Sequence, residues 1–153
     1  MKIERPVRVT RSEEQRLVAP PEVVFPLLCP VREADWVPDW DPIIVLSESG
    51  AAEPGCVFVT RDADAEAIWV VTDHDPAAWR LSMVKVVPGH VVGEIRIVLF
   101  RAGPSQTRAR VSYGYTALSP AGVAFVEGFT RESFDTFIRA WEDQLNSYLN
   151  RAV

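Results

Sequence analysis

Positive charge is scarce in this sequence. Its 153 residues include 16 lysines and arginines against 21 aspartates and glutamates, which gives a net charge of −5 at neutral pH. Nucleic-acid binders usually display clustered lysine and arginine, so we expect no nucleic-acid partner. No apolar run follows Met1 and none reaches the roughly 18 residues of a membrane span, so neither secretion nor stable membrane insertion is predicted. The expected location is cytoplasmic.

Cysteine and histidine are equally scarce, with two of each. A two-cysteine chain without a signal peptide more often holds thiols than a disulfide, so we expect Cys29 and Cys56 to be reduced. His74 and His90 both stand beside turn signals, which predicts solvated imidazoles in turns rather than catalysts. No metal-ligand spacing, glycine-rich phosphate loop, Gly-x-Ser-x-Gly elbow or His-Glu-x-x-His motif occurs, so neither a cofactor nor a metal is predicted.

What the sequence does contain is enough apolar residues, 48%, for the core of one domain. Turn signals separate short, alternating, β-branched segments in the way typical of an antiparallel meander, and no repeat or linker divides them. We therefore predict a single α+β domain over residues 1–153. Its strands are expected at about 6–19, 43–48, 56–61, 66–72, 79–87, 90–101 and 107–117.

The strongest single pattern is a long amphipathic helix over residues 119–150, apolar on one side and charged on the other. Gly122 and Gly128 weaken its opening turns, which predicts a frayed or kinked start. Two short helices are predicted near the N-terminus, at about 21–28 and 31–35. The apolar side of the long helix must cover an apolar surface, so we expect a curved antiparallel sheet to grip it.

The order of one strand, two short helices, six strands and a long helix resembles that of a known superfamily. Together with FPLLCPVREADWVPDWD at 25–41, SESGAAEPGCVF at 47–58 and EGFTRESFDTFIRAWEDQLNSYL at 127–149, it resembles the START-like or Bet v 1-like helix-grip proteins. More narrowly, it is similar to the bacterial polyketide cyclase/dehydrase and lipid-transport group, SRPBCC. The resemblance covers nearly the whole chain and implies a seven-stranded helix-grip fold, β-α-α-β6-α. No iron–sulfur spacing of cysteine and histidine occurs, which excludes the Rieske oxygenases of that superfamily.

The resemblance also implies a hydrophobic cavity between the sheet and the C-terminal helix. Large side chains on inward strand and helix positions are the candidates for its wall, although ordinary core packing explains each of them equally well. Trp36 and Trp40, around a chain reversal, either cap an edge of the core or line the mouth of this cavity. The predicted ligand-binding residues are Trp36, Phe58, Trp69, Met83, Ile97, Val111, Tyr113, Tyr115, Phe134, Phe137 and Trp141, and no catalytic residue is predicted.

Three functions are open at this point. The first is the binding or transport of a small hydrophobic or aromatic ligand in the cavity. The second is a polyketide cyclase/dehydratase-type enzyme, which needs an ionisable side chain that reaches the cavity; strand alternation turns Glu94 and Arg96 outward. The third is a protein-interaction module similar to the Hsp90 activators, which needs an exposed patch. The expected partner is a small hydrophobic ligand, and a homodimer also stays open.

Overall fold

The fold is that of a computed structural model, which describes residues 1–62 and 64–152. Its described strands form one antiparallel sheet of seven strands, in the order β1-β7-β6-β5-β4-β3-β2. The predicted seven-stranded α+β fold with a C-terminal helix is confirmed. Positions 63 and 153 of the domain predicted over 1–153 lie outside the described residues. The strands are β1 (Arg8–Leu17), β2 (Ile44–Leu46), β3 (Val57–Asp62), β4 (Ala65–Asp75), β5 (Arg80–Val87), β6 (Val91–Gly103) and β7 (Gln106–Ala117).

The centre of the sheet follows the alternation of its sequence. Successive side chains of a strand point to opposite faces, so every second residue of β6 can be apolar and face the core. Ile95, Ile97 and Leu99 are buried on that inner face, while Glu94 and Arg96 between them are exposed on the outer face. The predicted orientation of this strand is therefore confirmed.

The helix predicted over residues 119–150 is divided into α2 (Pro120–Gly128) and α3 (Arg131–Arg151). Gly128 is a poor helix former, and the Thr130 side chain accepts the backbone N–H of Ser133 at 3.1 Å, so Thr130 is the N-cap of a second helix. The weak start predicted from its glycines is thus a separate helix. Among the described helices, none is long and apolar enough to cross a membrane.

Helix α3 packs its apolar side against the inner face of the sheet and also binds the edge strand β1. The side-chain amide of Gln15 donates to the carbonyl of Ile138 at 3.2 Å. Asn146 accepts the backbone N–H of Val18 at 3.0 Å and donates to the carbonyl of Arg16 at 2.9 Å. The two bonds of Asn146 satisfy backbone groups at the end of an edge strand, which would otherwise be open to pairing with another chain.

The two short helices are shorter than predicted, because prolines interrupt them. The first is α1 (Pro21–Val24), and a 3₁₀ turn over Phe25–Leu27 follows it. The second is a 3₁₀ helix over Arg32–Asp35. Pro26 and Pro30 lack the backbone N–H that a continuous α-helix would need there.

The prediction that His74 lies in a turn is wrong. His74 is the penultimate residue of β4, which is longer than predicted, and its half-buried ring lies 5.1 Å from that of Phe25. The turn begins only after Asp75, whose carboxylate accepts the backbone N–H groups of Ala77 and Ala78 at 3.0 and 3.1 Å. These bonds form a turn that starts at Asp75, so β4 continues through His74 as far as Asp75.

Cys29 and Cys56 are both buried free thiols. The Cys29 sulfur accepts the backbone N–H of Ala52 at 3.2 Å, so its place is structural. Burial raises the pKa of the Cys56 thiol, which keeps it protonated and unreactive.

Candidate ligand-binding site

A cavity of about 450 Å³ lies between the inner face of the sheet, the 3₁₀ helix at Arg32–Asp35 and helices α2 and α3. This volume lies within the range of small-molecule sites, about 300 to 1,000 Å³. Phe125 and Phe137 are 38% and 48% exposed and mark its open side. The lining residues are Glu33, Trp36, Val37, Trp40, Phe58, Trp69, Met83, Lys85, Ile97, Tyr113, Tyr115, Phe125, Phe129, Phe137, Trp141 and Gln144.

A larger cleft of about 730 Å³ lies on the surface between β1 and α3, but its chemistry is less suited to a ligand. Its walls are charged side chains that pair with one another, such as Arg139 with Glu142 at 2.9 Å and Arg110 with Glu14 at 3.4 Å. Exposed ion pairs of this kind are ordinary surface features. Among the described residues, no cluster of three histidine, cysteine or acidic side chains could hold a metal ion either there or in the cavity.

Most of the predicted ligand-binding residues do line the cavity. Val111 and Phe134 are the two that do not, because both are buried in the packed core with 0% and 1% exposure. The Phe134 ring lies behind that of Tyr113, with the ring centres 5.6 Å apart. The part that any of these residues plays in binding stays a prediction. Those in the lining are Trp36, Phe58, Trp69, Met83, Ile97, Tyr113, Tyr115, Phe137 and Trp141.

One wall is built by two tryptophans whose orientations are fixed by hydrogen bonds. The indole N–H of Trp36 donates to the carbonyl of Leu27 at 3.0 Å, and that of Trp40 donates to the carbonyl of Pro30 at 2.7 Å. Trp36 also stacks on Trp141 of α3, with ring centres 6.0 Å apart and planes at 10°. Because these rings are held before any ligand arrives, binding would cost little side-chain entropy.

A second wall belongs to the sheet. Phe58 and Trp69 stack with ring centres 5.3 Å apart, and the indole N–H of Trp69 donates to the Thr60 hydroxyl at 2.9 Å. The Lys85 ammonium lies 4.8 Å from the centre of the Trp69 ring, a cation–π distance. The cavity therefore has one cationic group on its sheet side.

Gly93 sets the depth of the sheet side of the cavity. It pairs with Lys85 of β5 on one side and with Tyr115 of β7 on the other, on the buried face. A Cβ atom at this position would lie 2.8 Å from Cε1 of Tyr115, closer than such atoms approach in proteins. The Tyr115 ring can lie over β6 only because position 93 has no side chain.

Glu33 is the lining residue that sequence reasoning missed and that matters most for chemistry. The residue as a whole is half-buried, and its side chain lines the cavity. Burial raises the pKa of Glu33 to about 8, so the group is largely uncharged at neutral pH. A signal was present: residues three apart lie on the same side of a 3₁₀ helix, which places Glu33 on the side of Trp36.

Two phenols face the same space. Burial raises the pKa of Tyr115 to about 12, and burial, the Tyr115 phenol and the Glu33 carboxyl raise the pKa of Tyr113 well above its ordinary value. Both therefore stay protonated at neutral pH. Among the described residues, neither hydroxyl group has a hydrogen-bond partner, so both remain able to donate to a bound molecule.

Known proteins are similar to this chain in structure rather than in sequence. No protein-family model and no curated protein sequence matches it. A point mutant of norcoclaurine synthase from Thalictrum flavum, in complex with a transition-state analogue, has a TM-score of 0.71 and 14% identity over 99% of this chain and 100% of that one. Ara h 8.0201 has a TM-score of 0.65 and 13% identity over 95% of this chain and 99% of that one.

A third solved structure also matches. It is the di-domain ARO/CYC BexL from the BE-7585A biosynthetic pathway, with a TM-score of 0.67 and 17% identity over 93% of this chain and 46% of that one. At such identities the likeness establishes the fold alone. The fold is the helix-grip fold, as the resemblance seen in the sequence implied.

Proposed function

We propose that this chain binds a small hydrophobic or aromatic molecule in the cavity between the sheet and the C-terminal helices. The observation that carries the proposal is a space of about 450 Å³ whose lining includes ten aromatic side chains. Enclosing a flat apolar molecule there would remove its surface from water and allow ring stacking, both of which favour binding. The transition-state analogue held by the norcoclaurine synthase mutant supports a ligand site in this fold.

Tryptophan fluorescence offers a direct test, because four of the five tryptophans line the cavity. A neutral apolar dye such as N-phenyl-1-naphthylamine should bind saturably, accept energy from these tryptophans and be displaced by members of a library of aromatic metabolites and lipids. Absence of saturable binding by the dye and by every member of the library would contradict the proposal.

Removing either aromatic ring of α3 that lines the cavity should weaken binding of the dye. Trp141→Ala deletes the ring that stacks on Trp36, and Phe137→Ala deletes a ring at the open side. Losing the contact area and stacking of one ring should raise the dissociation constant about tenfold, measured by dye titration. Phe137 is 48% exposed, so its truncation should leave the fold intact.

Phe100→Ala is the matched control for these variants. Phe100 lies on the outer face of β6, where the guanidinium group of Arg108 lies 5.2 Å from its ring centre. Its removal should leave dye affinity unchanged. Equal losses in all three variants would show that the dye does not occupy the cavity.

Gly93→Ala should also weaken binding, by filling space instead of removing a ring. The added methyl group meets the Tyr115 ring at 2.8 Å and must push it toward the cavity. We expect a severalfold rise in the dissociation constant of the dye, with a larger effect for bulkier ligands. Gly114→Ala is the control, because its methyl group meets Oγ1 of Thr10, at 3.1 Å, and not the cavity.

A cyclase/dehydratase-type enzyme is the second candidate, favoured by the ionisable groups of Glu33, Lys85, Tyr113 and Tyr115 in the lining. In the dehydration of a β-hydroxy ketone, the ionised fraction of Glu33 would act as the base that takes the α-proton, and the C–O bond would break as the C=C bond forms. Glu33, now the acid, would then pass that proton to the departing hydroxyl group to give water. Incubation with a β-hydroxy-ketone thioester, followed by mass spectrometry for loss of water, tests this candidate; turnover retained in Glu33→Ala would exclude Glu33 as that acid.

A further inference from the structure

We propose that Glu33 is the polar anchor of the cavity, and that its uncharged carboxyl group donates a hydrogen bond to a carbonyl oxygen of an aromatic ligand. The inference rests on the proposed function and narrows it to a chemical class, aromatic ketones and aldehydes. It also makes ligand affinity dependent on pH.

The position of Glu33 is fixed by its backbone. Its N–H donates to the carbonyl of Cys29 at 2.8 Å, and its own carbonyl accepts the N–H groups of Trp36 and Val37 at 3.1 and 2.7 Å. The same turn therefore carries an acid and two cavity-lining side chains. An anchor held on such a turn is preorganised for a ligand that stacks against Trp36.

The carboxyl group of Glu33 has no side-chain or backbone partner among the described residues. Burial is the cause of its raised pKa, about 8, and no neighbouring charge contributes. Because Glu33 borders the cavity, a ligand atom that enters can form the hydrogen bond that the protein does not supply. The titratable or charged groups around it are Tyr113 and Tyr115 on β7, Lys85 on β5, Tyr148 on α3, and Arg32 and Asp35, which form an ion pair on its own turn.

The polar groups of the lining consist mainly of donors. At neutral pH, the Glu33 carboxyl and the phenols of Tyr113 and Tyr115 can all donate hydrogen bonds. A ligand rich in acceptor oxygens complements this set. A cationic ligand would be a poorer match, because Glu33 would first have to lose its proton.

The acid makes binding of a carbonyl compound pH-dependent in a defined window. With a pKa of about 8, Glu33 is about 90% neutral at pH 7 and about 10% neutral at pH 9. If only the neutral form binds the carbonyl oxygen, the apparent dissociation constant rises in inverse proportion to that fraction, close to tenfold over this range. Tyr113 and Tyr115 keep their protons throughout, since their pKa values are raised.

The test uses two probes that differ in one acceptor atom, 2-acetylnaphthalene and 2-ethylnaphthalene. Their affinities for the whole protein are measured at pH 6.5 and pH 9 by quenching of tryptophan fluorescence. We expect the native protein to bind 2-acetylnaphthalene more tightly than 2-ethylnaphthalene at pH 6.5. The affinity for 2-acetylnaphthalene should fall about tenfold by pH 9, while the affinity for 2-ethylnaphthalene should change little. A ¹³C NMR titration of the Glu33 carboxyl should follow the same midpoint.

Two variants of Glu33 separate the donor from the charge. Glu33→Gln keeps an N–H donor and cannot ionise, so 2-acetylnaphthalene should still bind it well, now equally at both pH values. Glu33→Ala removes the donor, so the advantage of 2-acetylnaphthalene over 2-ethylnaphthalene should disappear at both pH values.

Three results would overturn the inference. Affinity for 2-acetylnaphthalene that does not change with pH, or a preference over 2-ethylnaphthalene that survives in Glu33→Ala, would show that Glu33 is not the anchor. Tighter binding of 2-naphthylmethylamine than of 2-acetylnaphthalene, lost in Glu33→Gln, would assign the site to a cation. Failure of both uncharged naphthalenes to bind would instead contradict the proposed function itself.

Discussion

Replacing Glu33 with glutamine is expected to raise the free energy of unfolding at pH 8 and to flatten its dependence on pH. The cause is the burial that raises the pKa of the carboxyl from an ordinary value of 4.5 to about 8 in the folded protein. Below pH 4.5 the group is protonated in both the folded and the unfolded chain, so it adds no penalty. As the pH rises toward 8, the unfolded chain releases this proton while the folded chain keeps it, which favours unfolding.

The expected change in unfolding free energy follows from the pKa values of Glu33 in the folded and the unfolded chain. Between pH 5 and pH 8 the native protein should lose about 3 kcal/mol of unfolding free energy through Glu33, a contribution that Glu33→Gln does not have. The measurement is urea denaturation of both proteins at several pH values across that range, taking the difference between the two curves at each pH so that all other titrating groups cancel.

Glu94→Gln is the matched control, because Glu94 lies exposed on the outer face of β6. Its stability curve should run parallel to that of the native protein. A difference in unfolding free energy between the native protein and Glu33→Gln that stays constant across the same pH range would mean that the Glu33 carboxyl is well solvated. That result would also contradict the proposal that Glu33 is an uncharged anchor.

The sheet and the last helix could be predicted because their signals are local and repeated. Alternation along β6 assigns Ile95 and Ile97 to the inner face and Glu94 to the outer face, and the structure agrees. The apolar side of α3 is equally plain in the sequence. Such patterns are reliable because each one shows which face of a strand or helix is apolar, and that face is the one that packs against the core.

The cavity could be predicted only in part, because periodicity shows which side chains are buried and not which of them border a space. Val111 and Phe134 are as inward as Ile97 and Tyr113, yet the first two pack behind the wall that the second two form. The curvature of the sheet and the position of α3 above it decide whether an inward side chain borders the cavity or packs in the core. Neither can be predicted from the sequence of a single strand or helix.

Glu33 escaped prediction for a related reason. It stands in a charged, surface-like turn, READ at 32–35, where an acid is normally solvated. Its carboxyl is desolvated in the folded chain, where Trp36 of the same turn packs on Trp141 of α3, more than a hundred residues further along the chain. Phe125 and Phe129 were missed as well, since their place in the wall depends on how α2 docks.

The docking of α2 depends on one glycine, and Gly122→Ala is expected to have the second large effect. A Cβ atom at position 122 would lie 2.0 Å from the carbonyl oxygen of His90 and 3.0 Å from its carbonyl carbon. Both are backbone atoms, in a turn whose carbonyl also accepts the N–H of Leu118 at 2.8 Å, so this side of the contact cannot yield easily. The helix must move instead, and with it Phe125 and Phe129 of the cavity wall.

Overpacking against a rigid backbone typically costs about 1 to 3 kcal/mol, and we expect Gly122→Ala to lie at the upper end of that range in urea denaturation. Gly128→Ala is the matched control in the same helix, because its Cβ would meet nothing within 4 Å. Alanine's better helix propensity should make that variant neutral or slightly more stable. Since Gly122→Ala displaces part of the cavity wall, its folded fraction should also bind an aromatic dye more weakly than Gly128→Ala does. Equal affinity and equal stability in the two variants would show that this side of the cavity does not depend on the close docking of α2.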